Sequence, residues 1–372
     1  MSTSVNSTSE GIVTLPGPPT RTRPKHPWIL GAVGLVLLAF VFGAARFELP
    51  YYAFRPGQVR NTSNLIAVEG AETYSAEGSV SYTTVSLRRL TLFGLLDAKL
   101  DHDVEVLPER DVLGDRDPDE NRQFNMQLMD DSKQKATQVA LEKLGYTVDV
   151  SATGERVLNV VAESPADGKM EPGDMIVAVE GERIDDPGDL ARILSDNHPG
   201  DQVDIKVRPF TATSEKDLSL ELAAAPDNPD RGIMGVEVQP DGVEYHFPFD
   251  VAFDTGDVGG PSAGLAFTLG LIDKLTPGEL TGGVPVAVTG TIAPDGTVGR
   301  VGGTGQKAAA VRRAGIKTFL VPAEDYAEAA KHAGDVNVVK VETLDDALAA
   351  LAELGGNGLE LPTTPPPAVA AS

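Results

Sequence analysis

The chain has 372 residues, no cysteine and a formal net charge of −24. That length holds two domains with tails, while the acidity argues against nucleic acid, whose phosphates need clustered Lys and Arg. Without cysteine there is no disulfide framework and no thiol nucleophile. The five histidines (26, 102, 198, 246 and 332) are scattered and form no helical metal pair, so no metal and no cofactor are expected. Asp101-His102-Asp103 reads as a solvated acidic loop.

Residues 1–27 are polar and Ser/Thr/Pro-rich, as in a disordered tail. Residues 28–45, "WILGAVGLVLLAFVFGAA", carry no charge. As a helix they would reach about 27 Å, close to the hydrocarbon thickness of a bilayer. The run is longer than a signal-peptide core and ends without an A-x-A site, so it reads as an uncleaved transmembrane helix. Arg21, Arg23 and Lys25 cluster more tightly than Arg46, Arg55 and Arg60. This places the tail in the cytoplasm and the bulk of the chain extracytoplasmically, in a single-pass protein of the cell membrane. Tyr51 and Tyr52 suit the interface.

Residues 46–144 form a strand-rich and helical connecting region. "GSVSYTTVSL" (78–87) is β-branched and aromatic, as strands are. Residues 111–123 are a charged break. Over 124–144, Met126, Met129, Ala136, Val139, Ala140 and Leu144 recur at helical spacing.

Residues 145–210 hold a compact series. "RVLNVVAESPA" is a strand running into a Ser-Pro helix start, and "GDMIVAVEGERI" is a strand between turns. "DLARIL" aligns Leu190, Ile193 and Leu194 on one helix face, and Val203, Ile205 and Val207 alternate along a strand. In order and content these elements resemble a PDZ domain of the bacterial type. The resemblance implies that an extended C-terminal peptide adds to a sheet edge beside the 187–196 helix. It places the carboxylate-binding loop at "KLGY", with Leu144, Gly145 and Tyr146 as the peptide-binding residues.

Residues 211–228 are a polar boundary. The last unit spans 228–354 and is followed by a flexible, proline-rich tail, 355–372. Within it, "GGPSAGLAFTLGLIDKL" puts Ser262 at the start of an apolar helix, where unpaired N–H groups suit a developing oxyanion. Gly259 and Gly260 allow close backbone approach. Alone, a serine there is an ordinary cap.

Further on, "RVGGTGQKAAAVRRAG" surrounds Lys307 with glycines. A P-loop needs Gly before and Ser or Thr after the lysine; Gln306 and Ala308 stand there instead, which argues against a nucleotide site. His246 could serve as a catalytic base, but its alternating surroundings read as a strand.

Ser262 and Lys307 lie 45 residues apart with "VTGTI" between them. Together "GGPSAG", "VTGTI", "GGTGQK" and "GIKTFLVP" resemble the proteolytic domain of Lon-type serine proteases. With the PDZ segment and the apolar helix, the arrangement is similar to the PDZ-containing Lon-like proteases. The resemblance implies an α+β fold: a Lon-type proteolytic domain plus a PDZ domain, preceded by one transmembrane helix. It implies a Ser262–Lys307 catalytic dyad supported by Gly260 and by Thr289, which orients the lysine. It also implies homo-oligomers, often hexamers. The ATP-driven members have Asp-Gly before Pro-Ser, whereas Gly259-Gly260 stand here. No ATPase module accompanies the motifs, so ATP-independent endoproteolysis of protein or peptide substrates is expected. The alternative is a non-catalytic PDZ adaptor with a decayed protease domain.

Overall fold

The computed structural model describes residues 27–114 and 116–362. The tails expected at residues 1–26 and past 362 lie outside the described residues. Helix α1, Pro27–Arg46, leads into strand β1, Glu48–Asn61. Every described side chain from Trp28 to Arg46 is exposed, including Leu35, Leu38 and Phe42. The side chains of residues 27, 29, 30, 40 and 44 are not among those described, and among the described residues no helix is long and apolar enough to cross a membrane. The segment expected to span a bilayer therefore stands as a helix with an apolar surface.

Strand β2, Ser79–Thr91, pairs antiparallel with β1, and helix α2, Leu92–Ala98, follows it. Strand β3, Glu105–Pro108, takes the other side of β1. Helix α3, Pro118–Lys143, starts ahead of the expected 124. A capping box sets its start: the Asp117 carboxylate accepts the Asp119 and Glu120 N–H groups, and the Glu120 carboxylate accepts the Asp117 N–H. Pro118 fits the first helical position, where no donor is needed. Polar cap chemistry, not the apolar period, decides this boundary.

A second sheet then forms from β4, Gly154–Val160; β5, Met175–Val179; β6, Gln202–Arg208; β7, Lys216–Glu221; and β8, Val236–Asp241, in the order β7-β6-β5-β4-β8. Val203, Ile205 and Val207 point inward as their alternation predicts. Helix α4, Asp189–Leu194, closes this core with Leu190. Ser164-Pro165 opens a run of turns rather than the expected helix.

The chain returns through helix α5, Gly264–Leu275; β9, Pro285–Val288; α6, Thr304–Ala314; β10, Thr318–Pro322; α7, Tyr326–Ala333; β11, Asn337–Val341; and α8, Leu344–Glu353. Strands from both ends of the chain make one mixed sheet, β11-β10-β9-β2-β1-β3, in which β9 lies parallel to both β10 and β2. Residues 48–108 are thus half of this sheet rather than a connector, and the β4–β8 sheet is inserted between α3 and α5. The main core joins α3 (Met129, Ala136, Ala140) to α5, where Leu265, Phe267, Leu269, Leu271 and Ile272 are fully buried. Burying those five side chains contributes on the order of 10 kcal/mol before entropic costs.

Candidate active site

The turn before α5 lies flat on α3. A Cβ on Gly259 would come within 2.9 Å of Asn125 Cβ and 3.1 Å of its backbone, so only glycine fits. Gly260 has φ 92° and donates its N–H to the Asn125 carbonyl at 2.7 Å. Ser132 Oγ donates to the Pro261 carbonyl at 3.0 Å. Two residues of α3, distant in sequence, therefore hold this loop.

Ser262 is half-buried and sits two residues before the first helical residue; Ala263 is the N-cap and has no side-chain cap bond. The expected placement at the helix start is thus displaced into the turn, which frees the hydroxyl from capping. Among the described residues the N–H groups of Ser262 and Ala263 have no acceptor. The Ser262 carbonyl accepts the Gly290 N–H at 3.0 Å and the Thr289 hydroxyl at 3.1 Å.

Gly303 caps α6 in the left-handed region (φ 68°), where a Cβ would collide with Phe54. The Lys307 N–H returns to the Gly303 carbonyl at 2.9 Å. This geometry drives the Lys307 side chain inward: it is 1% exposed, and its Nζ donates to Thr289 Oγ1 at 3.0 Å. Burial lowers its pKa from 10.5 to about 7, opposed by the Asp325 carboxylate. An amine desolvated to this degree is neutral in a large fraction at physiological pH and can accept a proton.

Thr289 is fully buried, and its N–H is fixed by the Leu320 carbonyl of β10 at 3.0 Å. Its hydroxyl accepts from Lys307 and donates to Ser262, so the three residues form one chain. Among the described residues there is no hydrogen bond between the Ser262 hydroxyl and Lys307 Nζ; Thr289 links the amine to the Ser262 backbone carbonyl.

The other expected site residues fall elsewhere. Leu144 is buried in the main core, and Gly145 (φ 84°) ends α3 in a left-handed turn. The N–H groups of Leu144, Gly145 and Tyr146 are spent on the α3 carbonyls of Ala140, Leu141 and Glu142. They form a helix C-terminus and have no donors left for a peptide carboxylate. Tyr146 packs edge-on against Phe249 in the same core. His246 is an exposed strand residue opposite Asp149.

The acidic loop also departs from expectation. Asp103 is buried and binds Arg312 and Arg313 of α6 at 2.7 Å each, with His332 of α7 at 3.5 Å. No local signal in the sequence marks Asn125, Ser132, Asp103 or Asp325, because each acts on residues remote along the chain. A cleft of about 1170 Å³ lies between α3 and the inserted sheet and includes neither Ser262 nor Lys307.

Residues 156–209 match the PDZ domain family, and residues 246–353 match the Lon protease (S16) C-terminal proteolytic domain. Lon protease of Geobacter metallireducens is 38% identical over 112 residues, covering 29% of this chain and 12% of that protein. Lon protease of Chloroflexus aggregans is 28% identical over 188 residues, covering 45% of this chain and 22% of that protein. The chain thus spans less than a quarter of the length of these relatives. Among solved structures, the PDZ domain of the SdrC-like protein of Listeria innocua is 23% identical, with a TM-score of 0.21, covering 23% of this chain and 92% of that one.

Proposed function

We propose that the chain is a membrane-anchored, ATP-independent serine endopeptidase in which Ser262 is the nucleophile and Lys307 its general base. The observation that carries this reading is the Lys307–Thr289–Ser262 chain around a buried amine. Neutral Lys307 takes the Ser262 hydroxyl proton as Oγ attacks the substrate carbonyl. The Ser262 and Ala263 N–H groups receive the developing oxyanion; the Lys307 ammonium gives its proton to the departing amine as the C–N bond breaks, and water then hydrolyses the acyl-enzyme. A serine-directed fluorophosphonate tests this: wild type is labelled and Ser262→Ala is not. A well-folded wild type that is neither labelled nor able to cleave casein returns the chain to a non-catalytic PDZ adaptor.

In this reading the inserted sheet presents protein or peptide substrates. The β8 edge replaces 144–146 as the peptide site. One long side of β8 pairs with β4 and the other with no described strand, and its Val236 and Val238 pack on the same core as Ile193 and Leu194 of α4. An extended peptide would add there. A 20-residue helix apolar on all its described faces supports the anchor, which detergent-dependent extraction would test. The oligomer implied by the family, often a hexamer, is tested by sedimentation in detergent.

A further inference from the structure

Asp325 ends the short turn Ala323–Asp325 after β10 and is 5% exposed. One of its carboxylate oxygens accepts the Val301 N–H at 2.8 Å, and the other takes Arg300 Nε at 3.3 Å. Val301 opens the loop that ends on Gly303, the cap of the lysine helix, and its carbonyl accepts the Thr304 hydroxyl at 3.3 Å. The carboxylate therefore ties the lysine loop to β10, the strand whose Leu320 carbonyl holds Thr289. Arg300 is a weak neutraliser, since its side chain is 68% exposed and shared with Glu324.

The other charges on elements packed around α6, Arg88 excepted, are engaged elsewhere. On β1, Arg55 pairs with Asp97, and Arg60 bonds the Tyr82 hydroxyl of β2. Arg89 of β2 pairs with Glu48 and Glu109, and its neighbour Arg88 is exposed. On α7, Glu328 holds Lys331 and His332. Arg312 and Arg313 of α6 itself bind Asp103. The Asp325 carboxylate acts upward on the lysine's pKa, against burial.

We infer that Asp325 is a positioning residue: its buried carboxylate fixes the Val301–Gly303 loop at the start of the lysine helix and so governs how Lys307 serves as a base. This rests on the Ser262–Lys307 reading.

The test is kcat/KM against pH for the full chain in detergent. Asp325→Asn keeps an acceptor for the Val301 N–H but removes the charge. Its acid limb is expected to move down by roughly half a pH unit or more, with plateau kcat within about threefold. Asp325→Ala loses the acceptor too and is expected to lower plateau kcat by about tenfold or more. An acid limb unmoved or raised in Asp325→Asn overturns the inference. Should that variant fold poorly, Asp325→Ala reads the same charge: its acid limb also moves down, and a limb unmoved or raised overturns the inference. NMR titration of ε-¹³C-lysine, with Lys307→Met assigning the signal, follows the amine without catalysis. It therefore still tests Asp325 if Ser262 proves inert and the protease reading fails.

Discussion

Lys307 Nζ donates to Thr289 Oγ1 across 3.0 Å, and the two residues are 1% and 0% exposed. A buried amine without a partner would carry an unrelieved desolvation cost. Thr289 supplies the acceptor and turns its own proton to the Ser262 carbonyl. One hydroxyl thus orients Lys307 and anchors the turn that bears Ser262, the base and nucleophile of the proposed reading.

Thr289→Val keeps the shape and removes both bonds. It is expected to lower kcat by roughly 100-fold and leave KM within about twofold, since orientation rather than substrate contact is lost. Steady-state kinetics on a short peptide measure this, with circular dichroism confirming the fold. A kcat near wild type would show that Thr289 does not orient the base.

Burial of Lys307 also has a stability consequence. The folded pKa of about 7 lies below the unfolded value near 10.5, so the penalty is complete below pH 7 and fades as pH rises toward 10.5. Its size is on the order of 4–5 kcal/mol. Lys307→Met is therefore expected to be more stable than wild type, by a margin widest at pH 6–7 and small by pH 10. Urea midpoints at pH 6.5 and 9.5 check this; an equal margin at both pH values would contradict a desolvated lysine.

Asp273, near the end of α5, is 7% exposed, and burial raises its pKa from 3.8 to about 6. The folded state binds the proton more tightly, so stability is greatest below the unfolded pKa and is lost as pH rises through 6. The cost at pH 7 is about 2–3 kcal/mol. Asp273→Asn retains an acceptor for the Leu280 N–H. Its Tm is expected to exceed wild type at pH 7 and to match it at pH 4. A Tm gain as large at pH 4 as at pH 7 would rule out the buried charge as its cause.

Two glycines at the ends of α6 give a paired test of backbone strain. Gly303 has φ 68°, and an added Cβ would lie 2.1 Å from Phe54 Cε1; Gly315 has φ 76° and open space around it. Gly315→Ala is expected to cost about 1 kcal/mol, the left-handed penalty alone. Gly303→Ala adds a core collision, is expected to cost at least about 2 kcal/mol, and shifts Lys307 enough to abolish turnover. Thermal denaturation and peptidase assays separate the two.

Much of the candidate site was legible along the chain because its signals are local. The glycines that flank Ser262 and precede Lys307 announce tight turns into helices, and the apolar run after Ser262 announces a buried helix. The motif resemblance added Thr289. The inward alternation of Val203, Ile205 and Val207 is likewise a property of neighbours in sequence, and the strand obeys it.

What only the tertiary structure decided depends on pairing between distant segments. "KLGY" has the composition of a binding loop, yet its N–H groups close the helix that precedes it, and backbone donors cannot serve twice. Residues 48–108 give no sign that they flank β9, because a parallel neighbour from more than 170 residues away leaves no local periodicity. The depressed pKa of Lys307 likewise belongs to no motif: it arises when β1, β2, β10 and α7 pack around α6 and bury the amine, with Asp325 supplying the opposing charge.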